Sequence, residues 1–253
     1  MQFAVYEPPQ TQAGPVPVLY YLAGLTCTEE TFPTKAGAQR LAAEHGLMLV
    51  APDTSPRGQR LPGDDASWDF GLGAGFYVDA TQAPWSSHYR MYSYVTQELP
   101  ALIRSEFATA DTNRQSIMGH SMGGHGALVC ALRNPVQYRS VSAFAPIVAP
   151  SQVPWGHKAF GNYLGVNRGN WLAYDATQLV QQAPRSDTIL VDQGLGGKFL
   201  AEQLRPELFE DACQRSGQKL QLRRHADYDY GYYFIQTFMP DHIALHAAAL
   251  RHA

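Results

Sequence analysis

The five residues Gly119-His120-Ser121-Met122-Gly123 constrain this chain more than any other stretch. They read G-x-S-x-G, and their neighbours give the pattern a structural setting. Ser116-Ile117-Met118 ahead of it reads as the end of a short buried strand. Residues 124–133 behind it read as a helix that stops at Asn134-Pro135, because proline breaks a helix and disfavours helical backbone just before it. Strand, sharp turn and helix together make a nucleophile elbow, which presents a serine hydroxyl at the carboxyl edge of a sheet. Glycines suit so tight a turn because a Cβ there would collide with nearby backbone. The bare pattern also fits a glycine-rich turn with a solvated serine; the flanking strand and helix favour the elbow.

An elbow needs a sheet to stand on. Apolar runs at 18–22, 47–51, 141–144, 188–191 and 220–224 alternate with helical stretches at 35–45, 89–107, 124–133, 199–216 and 233–251. The first residues, Met1-Gln2-Phe3-Ala4-Val5-Tyr6, alternate like a strand and unlike a signal peptide. Strands spaced by helices predict parallel crossover units and an α/β fold, a mostly parallel central sheet with helices on both faces. Residues 146–182 break the rhythm and are rich in glycine, proline and aromatics, among them Trp155, Phe160, Tyr163, Trp171 and Tyr174. They are read as an insertion, or cap, over the active-site edge of a single domain spanning 1–253. The 45% hydrophobic and 16% charged content suits that compact domain. A net charge of −3 without a basic run argues against nucleic acid, and no apolar stretch approaches the ~18 residues of a membrane span. Cys27, Cys130 and Cys213 are widely spaced and odd in number, with no metal-binding spacing; the expected setting is a reducing cytoplasm.

Acyl transfer through serine requires a nucleophile, a base, an acid that orients the base, and an oxyanion hole. Ser121 is the candidate nucleophile. The backbone N–H of Met122, the residue after it, is one expected oxyanion donor. The second is expected from the loop after an early strand, Tyr20-Tyr21-Leu22-Ala23-Gly24-Leu25-Thr26-Cys27, with the Leu25 amide as the best candidate.

At these residues the chain resembles the S-formylglutathione hydrolase (esterase D) family of α/β-hydrolases. The resemblance is carried by Leu22-Ala23-Gly24-Leu25-Thr26-Cys27-Thr28-Glu29, by Ala51-Pro52-Asp53-Thr54-Ser55-Pro56-Arg57-Gly58 and by Ser67-Trp68-Asp69-Phe70-Gly71. It continues through Gly75-Phe76-Tyr77-Val78-Asp79-Ala80-Thr81, Tyr89-Arg90-Met91-Tyr92-Ser93-Tyr94-Val95, the elbow out to Leu128, Ser142-Ala143-Phe144-Ala145-Pro146 and Pro154-Trp155-Gly156. It implies the α/β-hydrolase fold and hydrolysis of the thioester S-formylglutathione to formate and glutathione, a step of formaldehyde detoxification. Side activity on short acyl esters, no cofactor, no metal and a homodimer are also implied. The family places Trp68 and Trp155 near the acyl pocket; both equally suit core or interface packing. Cys27 is either a modifiable thiol beside the site or a small buried side chain. His120, which resembles a substrate-contacting position, and His125 flank the serine as supports of the elbow.

Three departures stand out. The family carries its acid in a motif like D-Q-G-x-x-D-x-F-L; here Asp192-Gln193-Gly194-Leu195-Gly196-Gly197-Lys198-Phe199-Leu200 puts Gly197 at the acid position. The family carries its histidine in G-Y-D-H-x-Y-Y-F; here Asp227-Tyr228-Asp229-Tyr230-Gly231-Tyr232-Tyr233-Phe234 puts Tyr230 there. Family members also usually begin with an additional strand pair ahead of the first strand of this chain.

A base for Ser121 must be unprotonated near neutral pH, and a phenol with an ordinary pKa of about 10 holds its proton. The sequence therefore predicts weak hydrolysis, or a non-catalytic member that keeps the pocket for binding. His225, five residues before Tyr230, is a candidate relocated base with Asp192, Asp227 or Asp229 as its acid; its alternative is a surface histidine on a strand end. His242 and His246 share a helix face at a spacing that can bind metal, but no H-E-x-x-H or third ligand accompanies them, so they read as a helix-face pair. Arg57 and Lys198 are weak candidate contacts for the substrate's carboxylates.

Overall fold

The structure, a computed structural model, describes residues 1–251. Seven strands form one sheet: β1 (Phe3–Tyr6), β2 (Val16–Leu22), β3 (Met48–Pro52), β4 (Ala110–His120), β5 (Tyr138–Phe144), β6 (Ile189–Gly194) and β7 (Leu220–His225), in the order β1-β3-β2-β4-β5-β6-β7. Only β1 runs antiparallel to its neighbour; the other pairs are parallel. Helices pack around the sheet. Met122–Arg133 lies against β2, β4 and β5, and Tyr232–Arg251 packs on β5 and on the helix Ala38–His45. Val18, Leu19, Tyr20, Tyr21 and Leu22 are fully buried. This is the continuous apolar run expected of a parallel strand covered on both faces.

The register places the chemistry. Leu22 pairs with Gly119, His120 with Phe144, and Phe144 with Asp192. The carboxyl ends of β2, β4, β5 and β6 therefore meet along one edge, where open parallel sheets bind ligands. No helix among the described residues is long and apolar enough to cross a membrane.

Every predicted strand is present, but three predicted helices are interrupted. The stretch 35–45 divides at Gly37, whose φ of 64° is left-handed, into Thr31–Lys35 and Ala38–His45. The stretch 89–107 opens into a wide π turn at Tyr94–Glu98 before the helix Leu99–Glu106. The cause is Pro100, which has no N–H to return to the carbonyl of Thr96. That carbonyl accepts from the Gln137 side chain at 2.9 Å instead. The stretch 199–216 breaks at Arg205, with φ 47°, and Pro206 starts the helix Pro206–Ser216 in the first position, where its missing N–H costs nothing.

Residues 146–182, the expected insertion, carry secondary structure of their own. They contain the helices Pro154–Tyr163 and Ala176–Gln182, the second capped by Asp175. The Tyr163 hydroxyl donates to the Ala74 carbonyl at 3.0 Å and accepts from Gly71 N–H at 3.1 Å, which ties the segment to the loop before Tyr89.

Candidate active site

Ser121 sits between the last residue of β4 and the first of the helix Met122–Arg133, with φ 58° and ψ −119°. A non-glycine residue held there stores strain of about 1–3 kcal/mol, which the surroundings must over-determine. They do: Ser121 N–H donates to Phe144 O at 2.9 Å, and Ser121 O accepts from His125 N–H at 2.9 Å and Ile147 N–H at 3.2 Å. The flanking glycines are there for close approach. A Cβ on Gly123 would lie 1.9 Å from Leu22 O, and one on Gly119 would lie 2.2 Å from Gly123 O.

The loop after β2 abuts the serine. A Cβ on Gly24 would come within 3.1 Å of Ser121 Cβ. Thr26 takes a left-handed φ of 69° and donates its N–H to Gly73 O at 2.9 Å. Arg57 donates to Cys27 O at 3.0 Å, and the Thr54 hydroxyl donates to the same carbonyl. Among the described residues the amides of Leu25 and Met122 have no hydrogen-bond partner. Met122 follows Ser121 directly and Leu25 follows Gly24, which abuts it; an oxyanion hole needs two such amide donors, each worth about 10²–10³ in rate.

The loops after β6 and β7 fold onto each other. Leu195 N–H donates to His225 O at 3.0 Å and Gly196 N–H to Tyr228 O at 2.9 Å. A Cβ on Gly197 would lie 3.2 Å from Tyr230 Cβ. The positions corresponding to the resembled family's acid and histidine are therefore neighbours in space. The Tyr230 hydroxyl donates to Ser121 Oγ in a short contact. Burial raises the pKa of this phenol well above the ordinary value, an effect the Ser121 hydrogen bond only partly opposes. Ser121 itself is fully buried, so the tyrosine covers the nucleophile.

With this geometry in view, comparison with known proteins places the chain. The family described as "Putative esterase" matches residues 1–245. S-formylglutathione hydrolase of Rattus norvegicus is 56% identical over 99% of this chain and 89% of its own length, and that of Bos taurus is 54% identical with the same coverage. The chain belongs to the S-formylglutathione hydrolase family. A solved S-formylglutathione hydrolase from Agrobacterium tumefaciens superposes with a TM-score of 0.95 at 54% identity, covering 98% of this chain and 89% of that one. A ferulic acid esterase at 17% identity and TM-score 0.73 shares the fold alone.

Against the family pattern, the candidate replacement base is elsewhere. His225 Nε2 lies 3.0 Å from Asp192 Oδ1, and its ring stacks on Phe238 at 3.8 Å. It makes no hydrogen bond to Ser121 among the described residues. The surface-histidine alternative needs correction too, because His225 is part-buried and bonded into an ionic cluster centred on Asp192. Asp192 is fully buried and also receives hydrogen bonds from the Arg223 guanidinium and from His242 Nε2 at 3.0 Å. Burial alone would raise its pKa; the bonds from His242, Arg223 and His225 outweigh that and hold it well below the usual carboxylate range. Asp229 accepts from Gly231 N–H at 2.7 Å, serving the turn ahead of the last helix.

The helix-face pair is a buried relay. His242 Nδ1 lies 2.7 Å from Ser142 Oγ, which lies 2.8 Å from His246 Nε2. His246 Nδ1 reaches Ser140 Oγ at 2.8 Å, and Ser140 reaches Ser116 Oγ at 2.8 Å. Both imidazoles are fully buried, and burial lowers their pKa values, to about 3 for His246. Among the described residues no cluster is fit to hold a metal. Ser140 and Ser142 sit two apart on β5, so they share a face. That alternation, set beside the histidine spacing, is the signal in the sequence that could have revealed the relay.

The remaining candidates divide. Trp155 is buried, edge-on to Trp68 at 5.7 Å and 4.7 Å from Phe199, which in turn lies 5.3 Å from Tyr230. Trp68 is 55% exposed at the outer end of this aromatic row. His120 is buried, its ring 4.6 Å from that of Tyr230. Cys27 is a free, part-buried thiol with its pKa raised by burial, near the hydroxyls of Thr31 and Tyr232. Arg57 is committed to Asp53 at 2.7 Å, and Lys198 lies 5.0 Å from the Phe199 ring.

Proposed function

We propose that this chain is a serine hydrolase frame of the S-formylglutathione hydrolase type whose turnover is weak because its base has become a hydrogen-bond donor. The substrate is an acyl-glutathione thioester or short acyl ester, with Ser121 as nucleophile and the Leu25 and Met122 amides as oxyanion donors. The observation that carries the reading is the Tyr230 hydroxyl donating to Ser121 Oγ, with Gly197 beside it. An imidazole here would accept the serine proton as the oxygen attacks the carbonyl. The phenol instead engages a lone pair of Oγ, and burial disfavours the phenolate that could act as a base. Gly197 supplies no carboxylate to orient a base. What is left is binding and the oxyanion donors, worth about 10³–10⁴ over water.

A second reading, a binding protein that has lost its chemistry, is favoured by the same contact, because Ser121 is buried beneath Tyr230. Residues 146–182 serve as the cap in either case, supported by the row from Trp155 through Phe199 to Tyr230. The free Cys27, Cys130 and Cys213 support a reducing, cytoplasmic setting. Assembly as a homodimer completes the reading and is measured by sedimentation.

The test is hydrolysis of S-formylglutathione by the purified chain against a Ser121→Ala blank. A rate slightly above the blank supports a weak hydrolase, and a rate equal to it supports the binding protein. Turnover in the range of about 1–10³ s⁻¹, typical of enzymes, would overturn both.

A further inference from the structure

Beside the candidate site lies a cavity that the catalytic argument does not use. Lys35, Tyr232, Tyr233 and Gln236 line its volume of about 450 Å³. Its chemistry is that of an anion site. Among the described residues, Lys35 is the only charged one in the lining, and no carboxylate lies within 4 Å of its ammonium group. The Tyr233 phenol and the Gln236 amide supply further donors. Tyr233 is 87% exposed, a large aromatic face with nothing packed over it. A single exposed aromatic is ordinary on a protein surface; at the mouth of this cavity it offers a ligand an apolar face.

The cavity is wired to the reacting centre by position. Lys35 ends the short helix Thr31–Lys35, which follows directly from the loop carrying Leu25 and Cys27. Phe32 of that helix stacks on Tyr21 of β2 at 3.8 Å, which fixes where the helix points. The Lys35 ammonium lies 5.8 Å from the centre of the Tyr232 ring. The other side of Tyr232 faces inward, with its hydroxyl 3.5 Å from that of Tyr21 and its ring 5.9 Å from that of His120, the neighbour of Ser121. Tyr232 is thus a shared wall between the anion cavity and the nucleophile.

We propose that this cavity holds a carboxylate of the thiol half of the substrate, with Lys35 as its counter-charge and the Tyr233 ring covering the peptide backbone. The inference deepens and rests on the glutathione thioester reading above. Glutathione carries a carboxylate at each end, each about two residue lengths or less from the sulfur at ~3.5 Å per residue. The proposal seats one of these ends on the cavity side of Tyr232, the ring that lies 5.9 Å from that of His120 beside Ser121. The site contributes affinity and register, and no chemical step.

The experiment measures binding, so it does not depend on turnover. S-hexylglutathione, a thioether that cannot be hydrolysed, and its diethyl ester, of similar shape but without carboxylates, are titrated calorimetrically into the full chain and into Lys35→Ala and Lys35→Arg. Lys35 is exposed and forms no ion pair among the described residues, so both variants keep the fold. The proposal expects Lys35→Ala to weaken the diacid about fivefold, the size of a partly exposed charge pair. Lys35→Arg retains affinity, and the diester binds the parent and Lys35→Ala alike. Equal affinity of the parent and Lys35→Ala for the diacid overturns the cavity assignment while leaving the glutathione reading intact. No binding of the diacid to the parent overturns both.

Discussion

Replacing Tyr230 by histidine and Gly197 by aspartate directly tests the proposal that turnover is weak. The geometry says both changes are needed. Position 230 already delivers a side chain to Ser121 Oγ, so a histidine there starts on the correct side of the nucleophile. An imidazole is shorter than a phenol, so the 226–231 loop must settle inward, and a misplacement of ~1 Å costs about 10² in rate. A carboxylate on residue 197 is what draws the ring to its place. A Cβ at position 197 would lie 3.2 Å from Tyr230 Cβ, close enough that the neighbour must yield by a few tenths of an ångström. The backbone of Gly197 is not left-handed, so aspartate fits without dihedral strain.

Triad members act as a unit. In one serine protease whose triad has been dissected, loss of the histidine alone costs about 2 × 10⁶ and loss of the acid alone about 3 × 10⁴. Tyr230→His without the acid should therefore gain roughly 10–10² in kcat/KM for S-formylglutathione, and the double variant about 10⁴–10⁶, roughly 5–8 kcal/mol of transition-state stabilisation. Stopped-flow assays near neutral pH, with Ser121→Ala in the same background as the blank, read both values. A double variant that melts like the parent yet gains less than about tenfold would refute the assignment of positions 197 and 230.

Three further outcomes follow from the packing and the buried polar groups. Gly123→Ala forces a Cβ to 1.9 Å from Leu22 O and should cost about 3 kcal/mol or more in urea unfolding; a loss below about 1 kcal/mol would contradict the close approach. Ser142→Ala leaves His242 Nδ1 and His246 Nε2 without their shared partner and should cost about 2–4 kcal/mol in the same assay. Burial lowers the pKa of His120 and of His125 to about 4 and of His246 to about 3, so the unfolded chain takes up protons first as pH falls. The stability these groups contribute is complete above an ordinary histidine pKa of about 6.5 and is lost as pH drops toward 4 and 3, by roughly 2 kcal/mol per histidine between pH 7 and pH 5. A urea midpoint that is flat over that interval would contradict it.

Elements dictated by local chemistry were legible from the residues in order. The elbow could be read because a serine between glycines, after an apolar strand and before a helix, satisfies one turn geometry and few others. The parallel sheet could be read because buried strands form unbroken apolar runs. The departures from the resembled family's pattern at Gly197 and Tyr230 were visible because both lie in motifs of fixed spacing. Breaks in the helices were harder to see. Pro100 and Pro206 stand in the sequence, but whether a proline kinks a helix or starts one depends on which group satisfies the freed carbonyl, and Gln137 is distant in sequence from Thr96.

Contacts between distant residues came from the packing of the folded chain. Which way Tyr230 points, and that it donates to Ser121 and buries it, depends on how the loops after β6 and β7 fold onto each other. The same packing bonded His225 to Asp192, and drew His242 and His246 into a relay with serines about a hundred residues earlier. Lys35 gained its place beside Tyr232 the same way. A side chain's type follows from sequence, but its partner, its burial and hence its proton affinity follow from what other segments bring within a few ångströms.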